Sequence, residues 1–196
     1  MITNHTQLIQ ALIDKHNLKS YCEIGVQSTS QNFDKIKCKS KDGVDPCLST
    51  SLNGSIRIIG ATSDEYFERW AKPTDIFFLD GLHHKEQIKR DFENSLRCLS
   101  DNGFIVIHDV LPENEAGTIV PRETKQWWGD VYKWAMTVSQ EYPDVDFKTF
   151  NIDNGCMLVW KGNTVKPVPG ISWVNDWNKY KEYGHELMNV TPTIEI

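Results

Sequence analysis

Residues 75–109 read DIFFLDGLHHKEQIKRDFENSLRCLSDNGFIVIHD, and the fold turns on them. The two ends, DIFFLDG and GFIVIHD, are almost wholly apolar. Strands buried on both faces of a parallel sheet have that composition. A buried helix can share it, but the shortness of both runs and the glycines beside them favour strand. Between them Ile88, Phe92, Leu96 and Leu99 recur on one face of a helix expected over about residues 85–99. Strand, amphipathic helix and strand in one unit imply parallel pairing through a right-handed crossover.

The same alternation extends outward. Leu8, Ile9, Leu12 and Ile13 predict a first helix, capped by Thr6 and fading before Ser20. YCEIG, starting at Tyr21, is a short strand; a polar helix is expected over about residues 32–37; DGVDP predicts a second strand that Pro46 ends. SIRIIG alternates and stops at Gly60, and SDEYFERW reads as a helix capped by Ser63 and closed before Pro73. Downstream, residues 110–129 show no period and carry two prolines and two glycines, the mark of a functional or mobile loop. A helix over about residues 130–142 follows, then a hairpin of VDFKTF and GCMLVW, whose Asn154-Gly155 turn tolerates positive φ. Trp173, Trp177 and Tyr180 lie at near-helical spacing, which predicts a tail helix packed on the domain or on a second copy in a homodimer. The expectation is one α/β domain: an N-terminal helix over 1–19, a core over 20–162 and an aromatic tail over 163–196.

Composition bounds the function. A chain of 196 residues supports one domain with a real core and is short for two. With 39% hydrophobic and 24% charged residues it reads as globular and soluble. The net charge of −6, with no dense Lys/Arg cluster, argues against nucleic acid as partner. Five cysteines, odd in number and without CxxC spacing, fit a reducing compartment, and no run approaches a membrane span, so a cytoplasmic protein with no membrane partner is expected.

The turn after YCEIG carries the ligand argument. Dinucleotide sites use three glycines to bring backbone against a pyrophosphate, whereas here Gly25 stands alone and Gln27, Ser28, Thr29 and Ser30 fill the turn. That favours a ligand needing one close backbone approach and side-chain hydrogen bonds. Glu23 ends the first strand and Asp45 the second; an acid at the latter position accepts from ribose hydroxyls, and one at the former suits a cation. An adenosine with a positive charge is S-adenosylmethionine. Asp80, His83, His84, His108 and Asp109 fall at the carboxyl ends of two central strands, where open α/β sheets hold their ligands. Asp80 could instead be a turn residue, and Trp127 and Trp128 could stack on an acceptor or cover the core.

EIG, GVDP, IFFLDGLHHKEQIKRDFENSL and NGFIVIHDVLP together resemble the class I S-adenosylmethionine-dependent methyltransferases, the small bacterial type similar to the Methyltransf_24 group, over roughly residues 19–112. The resemblance implies a Rossmann-like seven-stranded sheet, mostly parallel with an antiparallel last strand, and helices on both faces. It places Glu23 and Gly25 at the methionine end of the cofactor, Asp45 at the ribose, Thr62 or Ser63 beside the adenine, and Asp80 near the cofactor. Similar metal-dependent O-methyltransferases hold a cation with an acid at the Asp80 position and a pair after the next strand, which makes Asp80, His108 and Asp109 the candidate ligands for Mg, Mn or Fe. A mixed Asp/His set suits Mn, Fe or Zn better than Mg. Without a metal, His83 or His108 would act as base, with Asp80 or Asp109 orienting it. The implied acceptor is a hydroxyl of a sugar or similar small molecule, as in glycan biosynthesis. Two departures stand out: VQSTS replaces the glycine-rich continuation, and the DPPY-like signature of nucleobase methylases is absent. An iron-dependent hydroxylase on the same fold, similar to cephalosporin hydroxylase, and a non-catalytic S-adenosylmethionine-binding protein are the alternatives.

Overall fold

In the computed structural model, which describes residues 2–166 and 176–192, the chain alternates as its apolar runs dictate. The first half is α1 (His5–His16), β1 (Ser20–Ile24), β2 (Ser40–Val44), β3 (Ser51–Asn53), β4 (Ile56–Ile59), α2 (Ser63–Arg69), β5 (Thr74–Leu79), α3 (Lys85–Cys98) and β6 (Leu99–Ile107). The second is α4 (Val131–Ala135), α5 (Val138–Glu141), β7 (Val145–Phe150), β8 (Cys156–Lys161), α6 (Trp177–Leu187) and β9 (Val190–Thr191). All strands join one sheet in the order β3-β4-β2-β1-β5-β6-β8-β7-β9.

Strands β4, β2, β1, β5 and β6 are mutually parallel, and β8 runs antiparallel between β6 and β7. These seven are the expected sheet, with β8 its last strand. Two short edge strands make nine: β3 pairs antiparallel with β4, and β9 pairs parallel with β7. Register matters most for the site. Ile24 lies opposite both Val44 and Leu79, and Leu79 opposite Ile107, so four central strands end on one rim.

Helices cover both faces. On one, Leu8, Ile9, Leu12 and Ile13 of α1 pack on Tyr21, Phe78, Val106 and Leu158. On the other, Tyr66, Ile88, Phe92, Trp134 and Leu187 close over Cys22, Phe77 and Ile105. Full burial of Phe92 contributes roughly 1.5–3 kcal/mol, so the α3 stripe alone fixes which face the helix presents.

Several local expectations change for identifiable reasons. Over residues 32–37 only a 3-10 turn, Phe33–Lys35, forms, because the buried Lys41 ammonium donates to the carbonyls of Phe33 (2.6 Å) and Ile36 (3.0 Å) that a longer helix would use. The helix over 130–142 is split into α4 and α5 where Thr137 donates, from its amide and its hydroxyl, to Trp134 O. Asn4 rather than Thr6 caps α1, and Thr62 rather than Ser63 caps α2, in a capping box with Glu65. Trp173 lies outside the described residues; Trp177 opens α6, and Tyr180 is buried against its own chain, donating to Pro112 O at 3.0 Å. All five cysteines are free. Among the described residues no helix is long and apolar enough to cross a membrane.

Candidate active site

The rim where β1, β2, β5 and β6 end opens into a cavity of about 620 Å³, within the size range of small-ligand sites. Gly25 makes room for it. Its φ is +91°, and a Cβ there would lie 2.1 Å from the backbone oxygen of Asp80, so only glycine lets β1 and β5 approach so closely. The chain then turns through Gln27 at φ 50°, and the Gln27 amide donates to the Asp45 carboxylate at 2.7 Å. The Cys47 amide donates to the other Asp45 oxygen at 2.8 Å. Asp45 is thus fixed just after β2 with no counter-cation among the described residues. Thr62 and Ser63, at the start of α2, line the same cavity, and Ser63 accepts from Gln87 at 3.0 Å.

In the same cavity stand Asp80, His83, His108 and Asp109. His108 Nδ1 lies 3.2 Å from Asp80 Oδ1 and 3.4 Å from Asp109 Oδ1. His83 Nε2 lies 3.4 Å from Asp80 Oδ1, and its Nδ1 lies 3.3 Å from Asp109 Oδ2. Asp109 reaches this position through a left-handed backbone, φ 59°, which turns the chain sharply off β6.

The charges are mutually compensating. Burial alone would raise Asp80, but the imidazoles of His108 and His83 outweigh it and hold the carboxyl well below its usual range. Burial opposes protonation of His108, yet Asp80, Asp109 and Asp153 raise it to about 9. His83 is raised in the same way, against burial, by Asp80 and then Asp109. Asp109 is pushed up to about 6 by burial, with His108 pulling the other way. Each carboxylate thus faces an imidazole whose cationic form it favours. The same balance can be met by a divalent cation: Asp80, His83 and Asp109 each offer a donor, all within 4.8 Å of one another, and the buried Asp109 Oδ1 has no hydrogen-bond partner. That donor set fits Mn or Fe better than Mg.

The long loop over 110–129 returns to this cluster. Trp127 stacks on the His83 ring, centroids 5.2 Å apart and 17° between planes, and its Nε1 donates to Ile119 O. Trp128 is only 1% exposed and packs beneath Gly117, so one tryptophan of the pair faces the site and the other the core. Gly129 passes so near the His83 carbonyl that a Cβ would come within 1.8 Å of it.

Of the residues expected at the site, Gly25, Asp45, Thr62, Ser63, Asp80, His83, His108 and Asp109 all line this one cavity. Glu23 does not. Strand alternation turns it with Tyr21 to the α1 face, where Tyr21 Oη (2.5 Å) and Asn32 Nδ2 (2.9 Å) donate to it, and burial raises it to about 7. His108, expected as a ligand beside the two carboxylates, keeps Nδ1 next to both and turns its other nitrogen away, while His83 joins Asp80 and Asp109 in a donor set the sequence reading did not include. Gln27, Gln87, Arg122 and Asn154 also line the cavity. Gln87 had a readable signal, a polar residue in the first turn of α3, and Gln27 one in its place in the polar turn after Gly25; Arg122 had none, because a loop's return path leaves no periodic trace.

A crevice outside the carboxyl ends of a parallel sheet, with one glycine at the first turn and an acid after the second strand, defines a Rossmann-like enzyme that binds an adenosine cofactor. The family model for the methyltransferase domain Methyltransf_24 matches residues 4–110, and the chain belongs to this family of S-adenosylmethionine-dependent methyltransferases. Its fold is similar to that of a Staphylococcus aureus protein assigned as a caffeoyl-CoA O-methyltransferase, at 22% identity and TM-score 0.59, covering 83% of this chain and 86% of that one. It is similar also to the S-adenosylhomocysteine-bound methyltransferase PaMTH1 of Podospora anserina, at 14% identity and TM-score 0.59, over 80% and 77% of the two chains. MycE of the mycinamycin biosynthetic pathway, in complex with Mg, S-adenosylhomocysteine and mycinamycin VI, matches at 19% identity and TM-score 0.55, over 85% of this chain and 51% of MycE.

Proposed function

We propose that the chain methylates a hydroxyl of a small acceptor, a sugar or similar metabolite, with Asp80, His83 and Asp109 as the reacting-end residues. The observation that carries this reading is the position of that trio in the same cavity as Asp45 and beneath Trp127. Asp45 would receive the ribose hydroxyls, Gly25 would admit the backbone-hugging part of the cofactor, and Thr62 and Ser63 would flank the adenine. S-adenosylmethionine supplies the methyl group on its sulfonium, so the protein's task is to align and deprotonate the acceptor. Asp80, His83 and Asp109 would hold a divalent cation, which supplies Lewis acidity that lowers the pKa of a hydroxyl. The magnesium in the MycE complex supports this by analogy.

A second reading is favoured by His83 having one nitrogen toward each carboxylate. In it the imidazole takes the acceptor proton and the two carboxylates stabilise its cation. Turnover of a sugar panel, followed as S-adenosylhomocysteine release, separates the two. Under the metal reading EDTA abolishes release and Mn restores it; full activity in EDTA with loss in His83→Ala leaves the base. Product formation that needs iron and dioxygen but no S-adenosylmethionine would move the chain to the hydroxylase reading instead.

A further inference from the structure

His108 has two nitrogens, and the methyl-transfer reading uses the surroundings of only one. Nδ1 lies 3.2 Å from Asp80; Nε2 is buried, has no hydrogen-bond partner, and points to the other side of the sheet end, where it lies 3.8 Å from Asp153 Oδ2. His108 as a whole is only 8% exposed, so that nitrogen is shut off from bulk water. An orphaned buried imidazole nitrogen is costly unless something occupies its lone pair.

Two other donors meet it there. His5, the first residue of α1, brings Nδ1 to 2.5 Å from Asp153 Oδ2, yet that nitrogen also makes no properly aligned hydrogen bond. The ring is held in place from two directions. It stacks on Phe78, centroids 5.0 Å apart at 20°, and meets the His108 ring edge-on at 4.9 Å. Asp153 comes from the β7–β8 turn, where Asp153, Asn154 and Gly155 have φ of 49°, 66° and 91° in succession, and its Oδ2 also accepts from the His5 amide at 3.1 Å. Three elements distant in sequence thus bring two imidazole nitrogens and one carboxylate oxygen within 4.8 Å of one another.

We infer that His5, His108 and Asp153 form a second cation site, on the α1 side of the sheet, for a zinc-class transition ion. Two imidazoles and one carboxylate form a donor set that zinc takes with water in its fourth position, and the 21% and 29% exposure of the His5 and Asp153 side chains leaves room for that water. The surroundings of His108 match the requirements of a ligand. Metal-bound histidines characteristically donate their other N–H to a carboxylate, which fixes the tautomer, and Asp80 stands at Nδ1 to receive it. Asp80 would then serve both sites, so occupancy behind the sheet would set the hydrogen bond that Asp80 receives in the methyl-transfer cavity. The inference does not depend on the methyl-transfer reading, since its residues His5 and Asp153 lie outside that cavity.

Chelator-stripped protein titrated with Zn²⁺ and with Co²⁺ tests it. The full chain should bind a zinc that His83→Gln and Asp109→Asn retain, whether or not the cavity trio takes a second ion, and that His5→Gln and Asp153→Asn lose. Asp80→Asn should weaken it by about 10–100-fold, the usual effect of losing the carboxylate behind a ligating histidine. His5→Cys loaded with Co²⁺ should show a thiolate-to-cobalt charge-transfer band that the wild-type cobalt complex, with its five native cysteines, lacks. Retained S-adenosylhomocysteine binding in the His5 variants reports that they are folded. Zinc held equally by His5→Gln and Asp153→Asn, or a cobalt complex of His5→Cys without the sulfur band, overturns the site and leaves an ordinary His5–Asp153 ion pair.

Discussion

Each Asp45 oxygen accepts one backbone N–H, from Gln27 and from Cys47, and each retains a second lone pair. The acid is therefore oriented before any ligand arrives, and a ribose diol could be received without reorganisation. Asp45→Ala should weaken S-adenosylhomocysteine binding by roughly 1–3 kcal/mol, the range for losing a charged hydrogen-bond partner. Calorimetry on a variant that still melts cooperatively decides it; unchanged affinity removes the ribose assignment. Glu23 is the contrasting residue. It shares the motif but not the cavity, because one position along a strand reverses the face, and a motif alone carries no information on which side a side chain falls.

At the scale of elements, the loop over 110–129 closes on the site through Trp127 on His83 and Gly129 against the His83 carbonyl, while Arg122 also lines the cavity. Arg122 and Lys125 are exposed. Tryptic cleavage at these two should slow several-fold when S-adenosylhomocysteine and an acceptor are bound, since a loop held by ligand opens less often. A cleavage rate there that ignores ligand would make the loop ordinary surface. Elements with their own pattern were legible in the sequence: β1, β5, β6 and the α3 stripe follow from apolar runs and period. What was not legible depends on partners. Strands β3 and β9 are short, with no buried residue, and exist by pairing with β4 and β7. The shortened turn at Phe33–Lys35 depends on Lys41, and the split between α4 and α5 on one threonine. For the site, strand ends placed Asp80, His83, His108 and Asp109 together; the His5–Asp153 approach spans 148 positions, and although Asn154-Gly155 marked the turn, no spacing announces that it meets α1.

For the whole molecule, two buried acids on β1 and β2 set opposite pH limits. Asp42, 1% exposed, accepts from Arg57 Nε (2.7 Å), Tyr66 Oη (3.0 Å) and Lys72 Nζ (3.2 Å); burial would raise it, but these partners lower it overall. Its contribution is present above its unfolded pKa and is lost as pH falls through the depressed folded value. Glu23 works the other way. Burial raises it from 4.5 to about 7 against the opposing hydrogen bonds of Tyr21 and Asn32. Its contribution is complete below 4.5 and is lost as pH rises through about 7, a range that corresponds to roughly 3 kcal/mol. Glu23→Gln keeps an acceptor for both Tyr21 and Asn32 and carries no charge to bury. Urea unfolding of the two proteins across that window should therefore show wild type losing stability relative to the variant as pH rises, most steeply midway between 4.5 and about 7. A difference that stays flat across the window would mean that the folded protein accommodates the Glu23 carboxylate as readily as water does, and that desolvation on the α1 face does not govern its charge.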